Sequence, residues 1–585
     1  MIFKSMLPSI KIPDVDIVEY IFTQARINYA MAKKKTEFAI CDGPSGKSLS
    51  IGDIEEMTTK LSSGLVHRLN FKRDQVGMIF SANSLYYPIF VYSILSIGGI
   101  VTLANPSYTP RELAYQLKDS SSRVIACERK DLSIVKEAIK ISKLNFSDLQ
   151  IILLDINQPQ SYNSRPDILA SVYSLDKKSD SSLYLHEFSC DLPFEKFRIY
   201  SEKEANEKVA VLPYSSGTTG LPKGVMLTHK NVVSSMLMNS CFAVNDGWID
   251  RDEIAPKFIG VLPFYHIYGF VSILNLGIAM SVGIVVLPKF ESNMMLHLIE
   301  KYKITFGHIV PPIILGIINN PDVGNYDISS MKAIRTGSAP IGEKSLEKFN
   351  GMFKHKMGIV RAYGLTETSP TISNSYKFHE NDGSSGVLLS NIEGKVIDSS
   401  GKSLGYNQSG ELCFRGSTIM KGYLNRPEAT MESIDKQGFF HTGDIGYFDE
   451  KNNIYIVDRI KDLIKYKGFQ VAPAELEGLL ASHEYVAEVA VIGVYIQDQE
   501  TELPKAFVTL KQNVLQKISS DSEKASACKL IREWLDKQVA PHKKLRGGVE
   551  IISEIPKNPS GKILKNILKQ AEVDKLNFGK SKSKL

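Results

Sequence analysis

Short apolar runs rich in β-branched residues recur along the chain to about residue 450, with helically spaced stretches between them. "QVGMIFSAN" (75–83), "GIVTLANP" (99–106), "RVIACE" (123–128), "LQIILLD" (149–155), "KFIGVLPF" (257–264), "GIVVLPK" (283–289) and "MKAIRTG" (331–337) read as strands. Runs this apolar suit strands covered on both faces. "RELAYQLKDS" (111–120) and "NMMLHLIEKY" (293–302) repeat apolar residues at three- and four-residue spacing and read as helices. Strand–helix alternation predicts an α/β fold with largely parallel sheets, in layers of sheets and helices. Two uncharged stretches, Leu85–Pro106 and Ile267–Pro288, are long enough to span a bilayer. Each breaks at glycine and turns into a β-branched run, which predicts a buried helix followed by a buried strand and no transmembrane span.

The pattern changes twice. From "SPTISNSYKF" (369–378) to "GELCFRG" (410–416) the strands are short and separated by turns such as "DSSGKSLG", which predicts a smaller β subdomain. Beyond "DRIKDLIKYKGFQV" (458–471) a compact α+β unit is expected, so residues 1–458 read as a large N-terminal domain and 462–574 as a small C-terminal one, with the boundary at 459–461. A chain of 585 residues is too long for a single core. The polar stretch 157–206 reads as an elaborated surface segment, and the lysine-bearing tail 575–585 as disordered.

Composition narrows the function. Net charge is +6, and no basic run is interleaved with aromatics, so no nucleic-acid partner is expected. The six cysteines show no CxxC spacing, which argues against a zinc site or a disulfide framework. Ser583-Lys584-Leu585 reads as a peroxisomal address, with the import receptor as partner and the peroxisome as location.

"YSSGTTGLPKGVMLTHKN" (214–231) follows a strand and is rich in glycine and hydroxyls, a composition that lets backbone N–H groups converge on phosphate. It is not a Walker loop, because Lys223 is followed by Gly224 and no hydroxyl can reach a magnesium ion there. "RAYGLTETSP" (361–370), "GELCFRG", "GYLNRPEAT" (422–430), "GFFHTGD" (438–444), "DRIKDLIKYKGFQVAPAELE" (458–477) and "PKNPSGKILK" (556–565) follow in order. With these motifs the chain resembles the adenylate-forming superfamily of acyl-CoA synthetases, 4-coumarate–CoA ligases and beetle luciferases over nearly its whole length. It is most similar to peroxisomal 4-coumarate–CoA ligase-like acid–CoA ligases.

The resemblance implies an AMP-forming acid–thiol ligase. A small carboxylic acid attacks the α-phosphate of ATP to give an acyl-adenylate and diphosphate, and the thiol of coenzyme A then displaces AMP. It implies that Ser215, Ser216, Gly217, Thr218, Thr219, Gly220 and Lys223 hold the phosphates, and that Glu367 with Thr218 holds Mg2+. Gly337, Ser338, Ala339, Tyr363, Gly364 and Thr366 are expected around the nucleotide, with Tyr363 stacked on adenine unless it is a plain core aromatic. Asp444 and Arg459 are expected at the ribose hydroxyls. Lys562 corresponds to the catalytic lysine, and His266 to a histidine beside the acyl group that acts as a gate or a base. Lys461 falls at the family's hinge (459–461), about which the C-terminal domain rotates to present Lys465, Gln470 and Gly468 to the thiol step.

The acid itself is less legible. Arg335, Ser338, Ala362 and Thr371 depart from the plant coumarate-ligase pattern, and one hydroxyl or methyl shifts selectivity by only about 1–3 kcal/mol. Tyr268, Phe270, Ile309, Arg335, Ala362, Pro370 and Thr371 are the expected acyl pocket, and an aryl, arylalkyl or medium-chain acid the expected substrate. Arg335 either meets a polar substrate tail or packs at the surface. A luciferase-like oxygenase and an adenylate-binding module without turnover are the rival readings.

Overall fold

All seven runs read as strands form strands, and both helical stretches form helices. The computed structural model describes the chain apart from residues 145–148, 155–171, 174–189, 216–220, 249–254, 338–342, 354, 356, 377–382, 468, 497–500, 519, 558–560 and 583–585, and apart from the side chains of 172, 173, 343, 344, 470 and 576–582. Local chemistry fixes the ends of elements. Helix Pro110–Ser120 begins with proline at its first position, and Thr109 and Glu112 cap each other's backbone N–H groups in a capping box. The two membrane-like stretches resolve as predicted: helix Tyr87–Ser96 precedes strand Ile100–Ala104, and a π-helical segment Gly269–Asn275 precedes strand Gly283–Val286. Among the described residues no helix is long and apolar enough to cross a membrane.

Two large sheets carry the body. One runs Gly422–Tyr423, Lys223–Thr228, Val209–Ser215, Ile100–Ala104, Val76–Phe80, Ser122–Cys127, Gln150–Leu153, Val172–Tyr173. The other runs Val387–Leu388, Thr371–Asn374, Gly358–Gly364, Ala333–Thr336, Phe306–His308, Lys257–Gly260, Gly283–Val286, Ile40–Asp42, Ser48–Leu49. Their central strands pair in parallel, so the carboxyl ends of Val209–Ser215 and Ala333–Thr336 fall at the edges where such folds place ligands. One apolar core joins residues of both sheets with the helices between them.

The β subdomain differs in extent from the sequence reading. Thr371–Asn374 pairs with Gly358–Gly364 and belongs to the second large sheet. The small sheet instead joins Glu393–Ile397, Gly410–Arg415, Phe440–Phe448 and Ile454–Arg459, and Phe3–Lys4 forms its edge. Phe3 drives that pairing: it is buried and stacks on Phe448 with centroids 4.2 Å apart. Much of the 157–206 segment lies outside the described residues, but its end is anchored. Phe197 donates its N–H to the Ser96 carbonyl, and Phe197, Ile199 and Ala205 form a small buried cluster.

The C-terminal unit has a separate core. Strands Val486–Ile496, Thr501–Leu510 and Gly548–Ile551 form its sheet, and hairpin Ile464–Tyr466/Phe469–Val471 stands beside it. Helices Pro473–Leu480 and Asp521–Asp536 contribute Leu476, Leu480, Ile531 and Leu535 to that core. The tail corrects an expectation. Helix Lys565–Lys582 runs through the stretch read as disordered, and Lys575 is tied to Glu550 at 2.6 Å and to Glu572 at 3.0 Å. Ser583-Lys584-Leu585 lies outside the described residues.

Candidate active site

A cavity of about 860 Å³, within the ~300–1,000 Å³ usual for small-molecule sites, opens where the carboxyl ends of the large sheets meet the small sheet and the C-terminal unit. Ser215 and Lys223 line it from the first sheet, Arg335, Ala362 and Tyr363 from the second, and Thr442, Gly443 and Arg459 from the small one. Lys557 and Lys562 reach it from the C-terminal unit.

Glu367 follows the strand Gly358–Gly364 on a short 3-10 turn and is buried. Gly364 must be glycine there, because a Cβ would collide with the Pro370 carbonyl. Glu367 Oε1 accepts hydrogen bonds from Ser215 Oγ at 2.9 Å and Tyr423 Oη at 3.0 Å. Oε2 has no hydrogen-bond partner among the described residues. A fixed carboxylate with one oxygen in hand suits a hard divalent cation such as magnesium.

Antiparallel pairing of Phe440–Phe448 with Ile454–Arg459 sets Asp444 opposite Arg459. Asp444 is 4% exposed, accepts from Tyr363 Oη at 2.7 Å, and lies 3.1 Å from Arg459 Nε. Burial raises its pKa, while Arg459 and the Tyr363 hydroxyl hold it down. The strand leading into Asp444 is braced by Glu411, which accepts from the Gly443 N–H at 3.1 Å and from the His441 ring at 3.1 Å. That bond raises the His441 pKa.

Lys562 faces this acidic wall. Burial and the Arg459 charge lower its pKa, and Asp462, Asp444 and Glu367 oppose that shift. His266 is pushed down to about 4 by burial and by the Lys562 charge. Its Nδ1 accepts the Tyr268 N–H at 3.3 Å. The neutral ring therefore carries its proton on Nε2, so it presents a donor and not a base. Gly269 lets the chain turn there, since a Cβ would strike the Pro263 carbonyl, and the π-helical segment that follows is a form common at functional sites.

Of the predicted site residues, Ser215, Lys223, His266, Tyr268, Arg335, Gly337, Ala362, Tyr363, Gly364, Thr366, Glu367, Pro370, Thr371, Arg459 and Lys562 line the one cavity, with Asp444 directly behind Tyr363 and Arg459. Ser216–Gly220, Ser338, Ala339, Gly468 and the Gln470 side chain lie outside the described residues. Lys465 is not brought to the cavity. It is exposed on the hairpin, opposite Gln470, with its N–H bonded to Glu502 at 2.7 Å. Phe270 and Ile309 are corrected: both are fully buried in the core and neither lines the cavity. The surface alternative for Arg335 is also overturned, since it is 1% exposed. Sequence reasoning missed Tyr423 and Glu411 as supports, although both lie inside motifs that it singled out. It also missed Asn239, Ser272 and Asn374 around Arg335, signalled only as amides and a hydroxyl within apolar surroundings.

The family model for AMP-binding enzymes matches residues 28–424, and that for the AMP-binding enzyme C-terminal domain matches 475–562. A 4-coumarate–CoA ligase of Humulus lupulus is 36% identical over 579 residues, covering 97% of this chain and 96% of its own. Among solved structures, the anthranilate CoA ligase AuaEII in complex with anthranoyl-AMP superposes with a TM-score of 0.79 at 20% identity, over 98% of this chain and 99% of its own. The o-succinylbenzoate coenzyme A synthetase of Bacillus subtilis, in complex with ATP and magnesium ion, gives 0.71 at 23% identity, over 93% and 99%.

Proposed function

We propose a course of reaction from one premise: the chain belongs to the AMP-binding enzyme family and is an AMP-forming acid–CoA ligase that works through an acyl-adenylate. The single observation that carries the assignment of roles is the presence of Lys562 in the same cavity as Glu367 and beside Asp444.

In the first half-reaction the acid carboxylate and the α-phosphate are both anionic, and negative charge builds up where they join. Fixed cations and donors at that point lower the barrier most. Lys562 supplies the cation, and Lys223 with the loop Ser216–Gly220 receives the β- and γ-phosphates. Asp444 and Arg459 take the ribose hydroxyls, and Tyr363 offers its ring to adenine with its hydroxyl tethered to Asp444. Gly337 and Thr366 line the nucleotide side. Glu367 with Thr218 would hold magnesium. When bound there it would offset charge on the departing diphosphate. Ser215 and Tyr423 keep the Glu367 carboxylate aimed by occupying its other oxygen.

In the second half-reaction the C-terminal domain turns about residues 459–461 and exchanges Lys562 for the hairpin bearing Lys465 and Gln470. Support comes from the position of Lys465, which is exposed and away from the cavity while Lys562 is in it. His266 presents Nε2–H beside the acyl group and acts as a gate and donor. The substrate is an aryl, arylalkyl or medium-chain acid, seated against Tyr268, Ala362, Pro370 and Thr371. Delivery to peroxisomes rests on Ser583-Lys584-Leu585, and loss of punctate fluorescence when these three residues are removed from a tagged chain tests it.

Acid-dependent exchange of labelled diphosphate into ATP tests the adenylation half of the assignment. Exchange that needs both magnesium and an acid is expected. Its absence would make the chain a silent adenylate binder, and oxygen uptake with light would make it an oxygenase.

A further inference from the structure

Arg335 stands on strand Ala333–Thr336, 1% exposed, yet it forms part of the cavity wall with Tyr268, Pro370 and Thr371. Its surroundings are polar but uncharged. Nε donates to Asn374 Oδ1 at 3.2 Å, and Nη2 donates to Thr371 Oγ1 at 2.8 Å, Asn374 Oδ1 at 2.9 Å and Asn239 Oδ1 at 3.1 Å. Nη1, with two N–H groups, has one acceptor, Ser272 Oγ at 3.2 Å. The guanidinium lies 5.4 Å from the Tyr268 ring centroid and 5.7 Å from that of Trp248. Among the described residues no carboxylate lies within ion-pair distance. Behind it, His308 is 1% exposed and its Nε2 has no hydrogen-bond partner among the described residues. Burial and the Arg335 charge hold that ring neutral, so it offers no counter-charge.

Buried charges are ordinarily paired, and one left without a counter-ion is costly. Here the donors are pinned in place by two amides and two hydroxyls, one N–H remains, and Arg335 belongs to the cavity wall at residues distinct from those around Lys562. The remaining Nη1–H and the unpaired guanidinium charge suit one oxygen of an anionic group such as a carboxylate. We propose that Arg335 is an anion subsite of the acyl pocket, so that the preferred acid carries a second carboxylate at the end remote from the one activated. The proposal rests on the ligase reading, with the acid seated against Tyr268 and Thr371.

Matched acids of one skeleton decide it. The wild-type enzyme is given 3-phenylpropanoate, its 4-hydroxy derivative and its 4-carboxy derivative, and separately hexanoate and hexanedioate, with ATP, magnesium and coenzyme A. Acyl-CoA and AMP are quantified by mass spectrometry. A kcat/KM preference for the dicarboxylates of at least about 100-fold is expected, since a site built for a polar group rejects analogues that lack it. In Arg335→Gln the ratio should collapse towards one, and in Arg335→Lys it should fall to an intermediate value. Equal or better turnover of the monocarboxylates, or of the hydroxy acid, overturns the anion subsite and leaves the ligase standing. A dicarboxylate preference that survives in Arg335→Gln removes the role from Arg335. Should both variants fail to fold, the wild-type ratio alone decides. No product from any acid would sink the ligase reading and this inference together.

Discussion

Replacing Lys562 by alanine should separate the two half-reactions. The side chain lies in the cavity beside Glu367 and Asp444, with the Arg459 charge near it. Removing one preorganised donor from a developing anion costs about 10²–10³ in rate, or roughly 3–4 kcal/mol. Fold stability should hardly change. Asp444 keeps Arg459 at 3.1 Å and Tyr363 at 2.7 Å, and Glu367 keeps Ser215 and Tyr423. Neither Asp444 nor Glu367 is orphaned by the change, so the loss should stay under about 1 kcal/mol. Acid-dependent diphosphate–ATP exchange measures the first half-reaction alone. Chemically prepared acyl-adenylate with coenzyme A measures the second. The variant is expected to lose exchange a hundredfold or more and to keep thioester formation within a fewfold of wild type. Exchange within threefold of wild type, or equal loss in both assays, would refute the reasoning.

Other predictions concern the hinge, the carboxylate and pH. Lys461→Pro should keep exchange and lose thioester formation, because the backbone bonds closing that turn are donated by Ile460, Asp462 and Leu463, while proline restricts the rotation. Glu367→Gln should raise the magnesium concentration needed for half-maximal exchange at least about tenfold, since a carboxylate ligand to a hard cation becomes a neutral amide; an unchanged requirement would remove Glu367 from the metal. The Lys562 pKa lies below its ordinary 10.5, so the ammonium is lost as pH rises through the depressed value. The alkaline limb of kcat/KM for adenylation should therefore begin below 10.5 and move upward in Lys562→Arg, whose charge persists.

Much of this fold is legible because burial leaves a mark on sequence. Strands covered on both faces are apolar at nearly every position, so runs such as Val76–Phe80 and Gly283–Val286 stand out. Site residues were legible where several motifs had to agree on one chemistry, and most of those described do meet in one cavity. What escaped depends on pairing across distance. The register that sets Asp444 against Arg459 passes through a bulge at Ile445/Gly446, which no local pattern announces. The hydrogen bond that fixes the His266 tautomer depends on the turn into Tyr268. Arg335 looked ambiguous because its four acceptor residues come from three other segments, around 239, 272 and 371–374. The helix in the tail is not announced by its charge, since the pairing of Lys575 with Glu550 joins residues far apart in the chain.

The central claim is that an acid, ATP and coenzyme A leave this cavity as acyl-CoA, AMP and diphosphate. The most direct test is the nucleotide balance of one reaction with purified protein, magnesium, coenzyme A and the mono- and dicarboxylic acid panel, resolved by mass spectrometry. One AMP for each acyl-CoA, both lost in Lys562→Ala, is the predicted result; ADP and orthophosphate formed with the thioester would contradict adenylation outright.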